Sequence, residues 1–138
     1  MTRLYMLDTN MVSYILKARS PAARSRLASL GQDEIACISV VTEAELLYGI
    51  AKSGSGEQRR KSLDWFLARL KVQLWGREEA AVYGQLRAKQ EAMRKTLGPL
   101  DMQIAAHAVT LGAILITNDK AFQQIPDLTG VENWATDF

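Results

Sequence analysis

Four carboxylates in this 138-residue chain each stand where a short apolar run gives way to an expected helix start. Asp8 follows Leu4-Tyr5-Met6-Leu7, and Glu45 comes shortly after Ile35-Ala36-Cys37-Ile38-Ser39-Val40-Val41. Asp101 follows Leu97-Gly98-Pro99-Leu100, and Asp119 follows Ile114-Leu115-Ile116-Thr117-Asn118. Four carboxylates drawn together repel one another strongly unless a cation lies among them. An all-oxygen donor set suits a hard divalent ion, Mg²⁺ or Mn²⁺. Basic side chains at Arg59-Arg60-Lys61, Arg69, Lys71, Arg87, Lys89 and Arg94-Lys95 fall on expected helices or loops. An acidic metal pocket rimmed by such cations suits a phosphodiester substrate, whose neighbouring phosphates the rim would hold.

For these acids to meet, the apolar runs must be parallel strands, because open α/β sheets bind ligands outside the carboxyl ends of their strands. Arg3 to Leu7, Glu34 to Ser39 and Ala113 to Thr117 read as strands, with Val72 to Trp75 and Gly130 to Trp134 as shorter ones. Helices are predicted from Met11 to Lys17, Pro21 to Leu30, Thr42 to Lys52, Lys61 to Leu70, Glu78 to Lys95 and Leu100 to Leu111, with a helical turn at Lys120 to Gln124. In the long helix, Ala81, Val82, Gln85, Leu86 and Lys89 are the expected inner side. Ser53-Gly54-Ser55-Gly56 is the one flexible stretch. Strands separated by helices pair in parallel through right-handed crossovers. The expected fold is therefore a three-layer α/β/α sandwich with a mainly parallel sheet, one domain over residues 1–138.

Each acid also has a local structural use. Asp8 can cap the helix that follows it. Glu45 completes Thr42-x-x-Glu45, a capping-box pattern. Asp101 lies in a first helical turn, where the dipole favours negative charge. Asp119 can shape a turn. Capping and metal binding do not exclude each other, since a helix start also fixes a carboxylate's rotamer. Glu43 lies about 200° around its helix from Glu45, so at most one of the two faces the site, and position alone does not choose between them.

Other chemistries fit less well. Gly54 and Gly56 lack the Lys and Ser/Thr of a phosphate-binding loop. His107 is the single histidine, in Ala105-Ala106-His107-Ala108, which excludes a His-based zinc site and reads as a core or helix-face residue. Cys37 is the single cysteine, in an apolar run, and reads as a buried inert thiol. Trp65, Trp75 and Trp134 are spaced as core or interface anchors, not as a base-stacking platform. The net charge of +2 decides little, and 48% hydrophobic with 23% charged residues is ordinary globular composition. No apolar run reaches the roughly 18 residues that span a bilayer, and no export signal is legible, so the expected location is the cytoplasm.

The ordered segments Met6-Leu7-Asp8-Thr9-Asn10, Ile38 to Gly49, Leu97 to Ala108, Leu115 to Phe122 and the tail Val131-Glu132-Asn133-Trp134 together resemble the PIN-domain ribonucleases, and within them the VapC toxins of bacterial toxin–antitoxin pairs. The resemblance runs through nearly the whole chain. It selects Glu45 over Glu43, since the family's acid stands before Leu in the pattern ending Tyr48-Gly49. It makes Asp8, Glu45 and Asp101 the three core acids and Asp119 the fourth, with Thr117 a hydroxyl near the metal. Arg94-Lys95-Thr96-Leu97-Gly98 departs from the loop that relatives carry before the third acid.

What the resemblance implies follows from these matches. Asp8, Glu45 and Asp101 would hold one Mg²⁺ or Mn²⁺, directly or through waters, and Asp119 would assist or recruit a second ion. The expected reaction is endonucleolytic hydrolysis of structured RNA, a tRNA first of all and initiator tRNA the leading candidate, giving 5′-phosphate and 3′-hydroxyl ends. Expected partners are a cognate VapB-type antitoxin whose tail covers the acidic pocket and a second copy in a homodimer, within a larger toxin–antitoxin assembly; no membrane is involved. Two rival readings stand beside this one: a catalytically silent PIN-like module that binds RNA or protein, and a phosphatase using Asp8 as nucleophile. The phosphatase reading is weakened by Asn10, where that chemistry wants a second acid.

Overall fold

The three central strands are short, mostly apolar runs that bury both faces, as parallel strands between helical layers must, whereas the two edge strands are only partly buried. The computed structural model describes residues 1–54 and 56–135. In chain order the elements are β1 (Arg3–Leu7), α1 (Thr9–Leu16), α2 (Pro21–Ala28), β2 (Glu34–Ser39), α3 (Val40–Ser53), α4 (Gly56–Leu67), β3 (Lys71–Gln73), α5 (Arg77–Ala92), α6 (Pro99–Leu111), β4 (Ile114–Ile116) and β5 (Gly130–Glu132), with a 3₁₀ turn at Lys120–Gln124. The sheet order is β3-β2-β1-β4-β5. Each neighbouring pair is parallel, with Met6 opposite Cys37 on one side of β1 and Leu7 opposite Ile116 on the other.

Alternation along the strands feeds two cores. Met6, Cys37 and Leu115 pack with Leu86, Met102 and Ala105 from α5 and α6. Tyr5, Leu7, Ile38 and Ile116 pack with Met11, Val12 and Phe66 from α1 and α4. This is the expected three-layer sandwich. The chain leaves β1 to build one half of the sheet through β2 and β3, and β4 and β5 lie on its other side. The order therefore reverses beside β1, and the crevice between β1 and β4 is where such sheets hold ligands. Cys37 is buried as expected, and burial pushes its thiol up to about 12.

Several boundaries differ from the sequence expectation for local reasons. The third helix opens at Val40, not Thr42, because the Ser39 hydroxyl accepts from Val41 N at 3.0 Å and caps it there. The fourth helix opens at Gly56, well before Lys61, so Gly56 is not part of a flexible stretch. Gly54 ends α3 in the left-handed conformation (φ 74°), and Ser55 lies outside the described residues. The last strand stops at Glu132, because Asn133 turns the chain by accepting from Ala135 N at 2.9 Å.

The inner face of α5 is also rotated from expectation. Ala81, Gln85 and Lys89 are exposed, whereas Glu79, Leu86 and Gln90 are buried. These polar residues take inner positions by bonding backbone groups, although Gln90 Oε1 has no partner among the described residues. Glu79 Oε1 accepts from Gly76 N at 2.7 Å, and Gln90 Nε2 donates to Lys95 O (3.0 Å) and Gln124 O (2.9 Å). Beyond the end of α5, Arg94 adopts φ 57°, a conformation that suits glycine. Arg94→Gly is expected to raise stability by about 0.5–1 kcal/mol in urea unfolding, with no change in the denaturant slope.

Candidate active site

Parallel pairing sets the carboxyl ends of β1, β2 and β4 on one edge, and the four acids occupy the segments that leave it. Asp8 follows directly after β1 and caps α1. Met11 N donates to its Oδ1 at 2.9 Å, and the Thr117 hydroxyl donates to its Oδ2 at 2.5 Å. The Asp8 amide donates to Ile116 O at 3.0 Å, which ties it to β4. Asp8 is only 4% exposed. Burial is the largest influence on its carboxyl and pushes it up to about 6. The bonds from Thr117 and Met11 oppose that rise, while Asp101 and Asp119 add to it.

Thr117 serves two acids. Besides donating to Asp8, its hydroxyl accepts from Asp119 N at 3.0 Å. The Asp119 carboxylate accepts from Ala121 N at 2.9 Å and starts the 3₁₀ turn. Asp101 is the third residue of α6, whose start at Gly98-Pro99 has no side-chain cap. Its carboxyl is raised by burial first, then by Asp119 and Glu45.

Glu45 lies in the second turn of α3, so the expected capping box with Thr42 does not form. Its Oε1 instead accepts from the Thr9 hydroxyl at 2.7 Å, and Thr9 also reaches the buried Thr42 hydroxyl at 3.3 Å. The charges of Asp101 and Asp119 add to the rise at Asp8, and those of Asp119 and Glu45 add to the rise at Asp101.

The arrangement is looser than a single tight cup. Among the described residues no group of three or more His, Cys, Asp or Glu side chains is close enough to grip one ion directly. Three of the acids are instead aimed by protein donors: Asp8 by Met11 and Thr117, Glu45 by Thr9, and Asp119 by Ala121. The donor set still fits a hard cation. It is all carboxylate oxygen, and the raised carboxyls of Asp8 and Asp101 show that negative charge is held there at a cost a cation would relieve. Mg²⁺ keeps much of its water shell, so it does not require a closed cage of protein ligands.

Two clefts flank the acids. One, of about 440 Å³, is lined by Thr9 and Glu45 together with Lys17 and Arg59. The other, of about 970 Å³, is lined by Thr117 and Asp119 together with Arg26 and Lys120. Half of the remaining expected basic rim is engaged elsewhere. Arg60 pairs with Asp64, Arg87 with Glu91, and Lys89 with Asp127. Arg69 lies over Trp65, with 3.6 Å from its guanidinium carbon to the ring centroid. His107 is fully buried, as expected, its Nδ1 2.8 Å from the Ser39 hydroxyl, and burial lowers its pKa. The sequence reading missed Thr9 as the partner of Glu45, and Thr42 as a neighbour of Thr9. The only signal available was that Thr9 adjoins Asp8 and Thr42 precedes Glu45 in a helix start.

A family model described as PIN domain matches residues 5–128. The chain is 37% identical over 132 residues to "Ribonuclease VapC2" of Rickettsia felis, covering 95% of this chain and 98% of that one. It is 34% identical over 132 residues to "tRNA(fMet)-specific endonuclease VapC" of Shigella flexneri, covering 95% and 98%. Among solved structures, a crystal structure of VapBC2 from Rickettsia felis bound to a DNA fragment from their promoter superposes with a TM-score of 0.90 at 36% identity, over 95% of this chain and 98% of that one.

Proposed function

The chain belongs to the PIN-domain family and, within it, to the VapC ribonucleases; from that premise we propose that it is a divalent-metal-dependent endoribonuclease toxin that cuts tRNA. The observation that carries this reading is that Asp8, Glu45, Asp101 and Asp119 leave one edge of the parallel sheet beside the reversal of its strand order, with the Thr117 hydroxyl bonded to both Asp8 and Asp119. Asp8, Glu45 and Asp101 would hold Mg²⁺ or Mn²⁺, mainly through waters, with Asp119 beside them. When bound, such an ion supplies countercharge for the phosphodiester and makes the attacking water more acidic.

The chain's own contribution is orientation. Met11 N and the Thr117 hydroxyl each take one oxygen of Asp8 and fix its rotamer. The Thr9 hydroxyl does the same for Glu45 across the gap between α1 and α3. The Thr117 hydroxyl also holds the backbone of Asp119, so one side chain sets the spacing of two acids. The proposed products carry a 5′-phosphate and a 3′-hydroxyl. A relative named for tRNA(fMet) supports a tRNA substrate, with initiator tRNA the first to test.

Solved VapBC complexes of similar chains support a VapB-type antitoxin as partner. A homodimer within a toxin–antitoxin assembly and a cytoplasmic site of action, where tRNA is found, complete the proposal, with one catalytic domain over residues 1–138. Among the described residues no helix is long and apolar enough to cross a membrane.

The test is cleavage of purified tRNA, read by mapping the 5′ ends of the products. Cutting is expected with Mg²⁺ or Mn²⁺, none in EDTA, and none by Asp101→Asn. RNA binding without cutting under every metal condition would instead support the catalytically silent module.

A further inference from the structure

The larger cleft has contents that orienting four acids does not require. Its volume, about 970 Å³, lies at the top of the range for ligand pockets, roughly 300–1,000 Å³. It opens from Asp119, at the carboxyl ends of β4 and β5, and Asn118, Gln123 and Asn133 bring three amide side chains to its wall. Asn133 uses its Oδ1 to accept from Ala135 N, which leaves its NH₂ group to donate.

The cleft also holds a fixed guanidinium. Arg26 lies 5.4 Å from the centroid of Tyr5 and 5.1 Å from that of Trp134. Tyr5 and Trp134 are themselves packed edge to face at 5.3 Å, and the Trp134 indole donates to Glu132 at 3.1 Å. Arg26 pairs with Glu34 at 3.4 Å, and about a third of its side chain (34%) remains exposed. Glu34 is held down to about 2, first by Gly31 N and the Tyr5 hydroxyl, so it stays charged and keeps its partner in place. The outcome is a flat, ordered, charge-compensated group at the wall of this cleft. Trp134 is too buried, at 4% exposed, to offer its own face. A guanidinium plane serves the same purpose for an unstacked RNA base, and amides read base edges. Lys120 adds positive charge at the rim, where the sugar–phosphate chain would enter.

We propose that this cleft is a nucleotide subsite: it takes one unpaired nucleotide adjoining the cut bond, stacks its base on Arg26 and reads the base edge with Asn118, Gln123 and Asn133. This rests on the endoribonuclease reading. It predicts that the enzyme selects its cut by base identity at a position next to the cleaved bond, in an unpaired loop.

The experiment has two arms, so that failure of this proposal and failure of that reading separate. In the first, adenosine, cytidine, guanosine and uridine 5′-monophosphates are titrated in EDTA into the full-length Asp101→Asn protein, followed by NMR of side-chain amide and indole signals. Saturable shifts are expected at Asn118, Gln123, Asn133 and Trp134, strongest for one base and absent at Gln58 in the other cleft. Gln123→Ala and Arg26→Lys, the latter keeping charge but losing the plane, should each weaken binding about tenfold. In the second arm, 5′-end mapping on an RNA pool with a randomised loop should show a base preference beside the cut that Gln123→Ala flattens. Absence of saturable shifts, or a base preference identical in the parent and Gln123→Ala, overturns the subsite. A parent protein that cuts no RNA overturns the nuclease reading, and the nucleotide titration still decides the cleft.

Discussion

Asp8→Asn is expected to abolish RNA cleavage and, in the same protein, to raise stability at neutral pH. The two effects share one cause. Burial raises the Asp8 carboxyl from 3.8 to about 6, because a charge is being held out of water next to Asp101 and Asp119. A raised carboxyl contributes stability that is fully present below its unfolded value and is lost as pH rises through the folded one. In EDTA, the Asp8 contribution should therefore decline between pH 4 and 6 and be absent at pH 7.

Asn removes the charge and keeps a side-chain oxygen for Met11 N, in a helix-capping position that Asn fills as well as Asp. The gain at pH 7 should be on the order of 2 kcal/mol, read as a higher midpoint in urea, and should shrink toward zero near pH 4. Cleavage should fall by about a thousandfold or more, since the lost countercharge for the metal is worth several kcal/mol. A variant less stable than the parent at pH 7 would mean that the Asp8 charge is not held at a cost, and a variant that still cuts would remove Asp8 from the metal-holding set.

Thr117→Val should lower cleavage by about 10- to 100-fold without touching any acid. The hydroxyl, 2% exposed, is the largest influence that keeps the Asp8 carboxyl from rising further. Losing a hydrogen bond to a charged group costs about 1.5–3 kcal/mol. The Asp119 amide loses its acceptor in the same step. Without the hydroxyl Asp8 should titrate higher, so the acid limb of the rate–pH profile should move toward alkaline pH. Thr117→Ser should restore both rate and profile. A rate loss with an unmoved profile would reduce Thr117 to packing.

The strand and helix order was legible because each element is written in local pattern. Short apolar runs ending in turn residues marked β1, β2 and β4, and helical spacing marked α5 and α6. Asp8 as a cap of α1 was legible for the same reason, its partner Met11 lying three residues on. The capping box at Thr42 and Glu45 was a local pattern that lost to a stronger one, the Ser39 cap three residues earlier. The inner face of α5 was misjudged because Glu79 and Gln90 read as surface residues until the backbone atoms they bond are known. Glu79 bonds a neighbour three residues away, whereas Gln90 reaches across to Gln124, 34 residues on.

By itself the sequence determined which residue types are available and which segments carry them: four acids at helix entries, no competing histidine or cysteine centre, and a family pattern that selects Glu45 from its neighbour. Only the tertiary structure decided who holds whom. Thr117 meets Asp8 across 109 residues, Thr9 meets Glu45 across 36, and Arg26 meets Trp134 beside Asp119. These pairings depend on β1 lying between β2 and β4. That order is set by burying both faces of the sheet at once, a through-space requirement with no local signature in the chain.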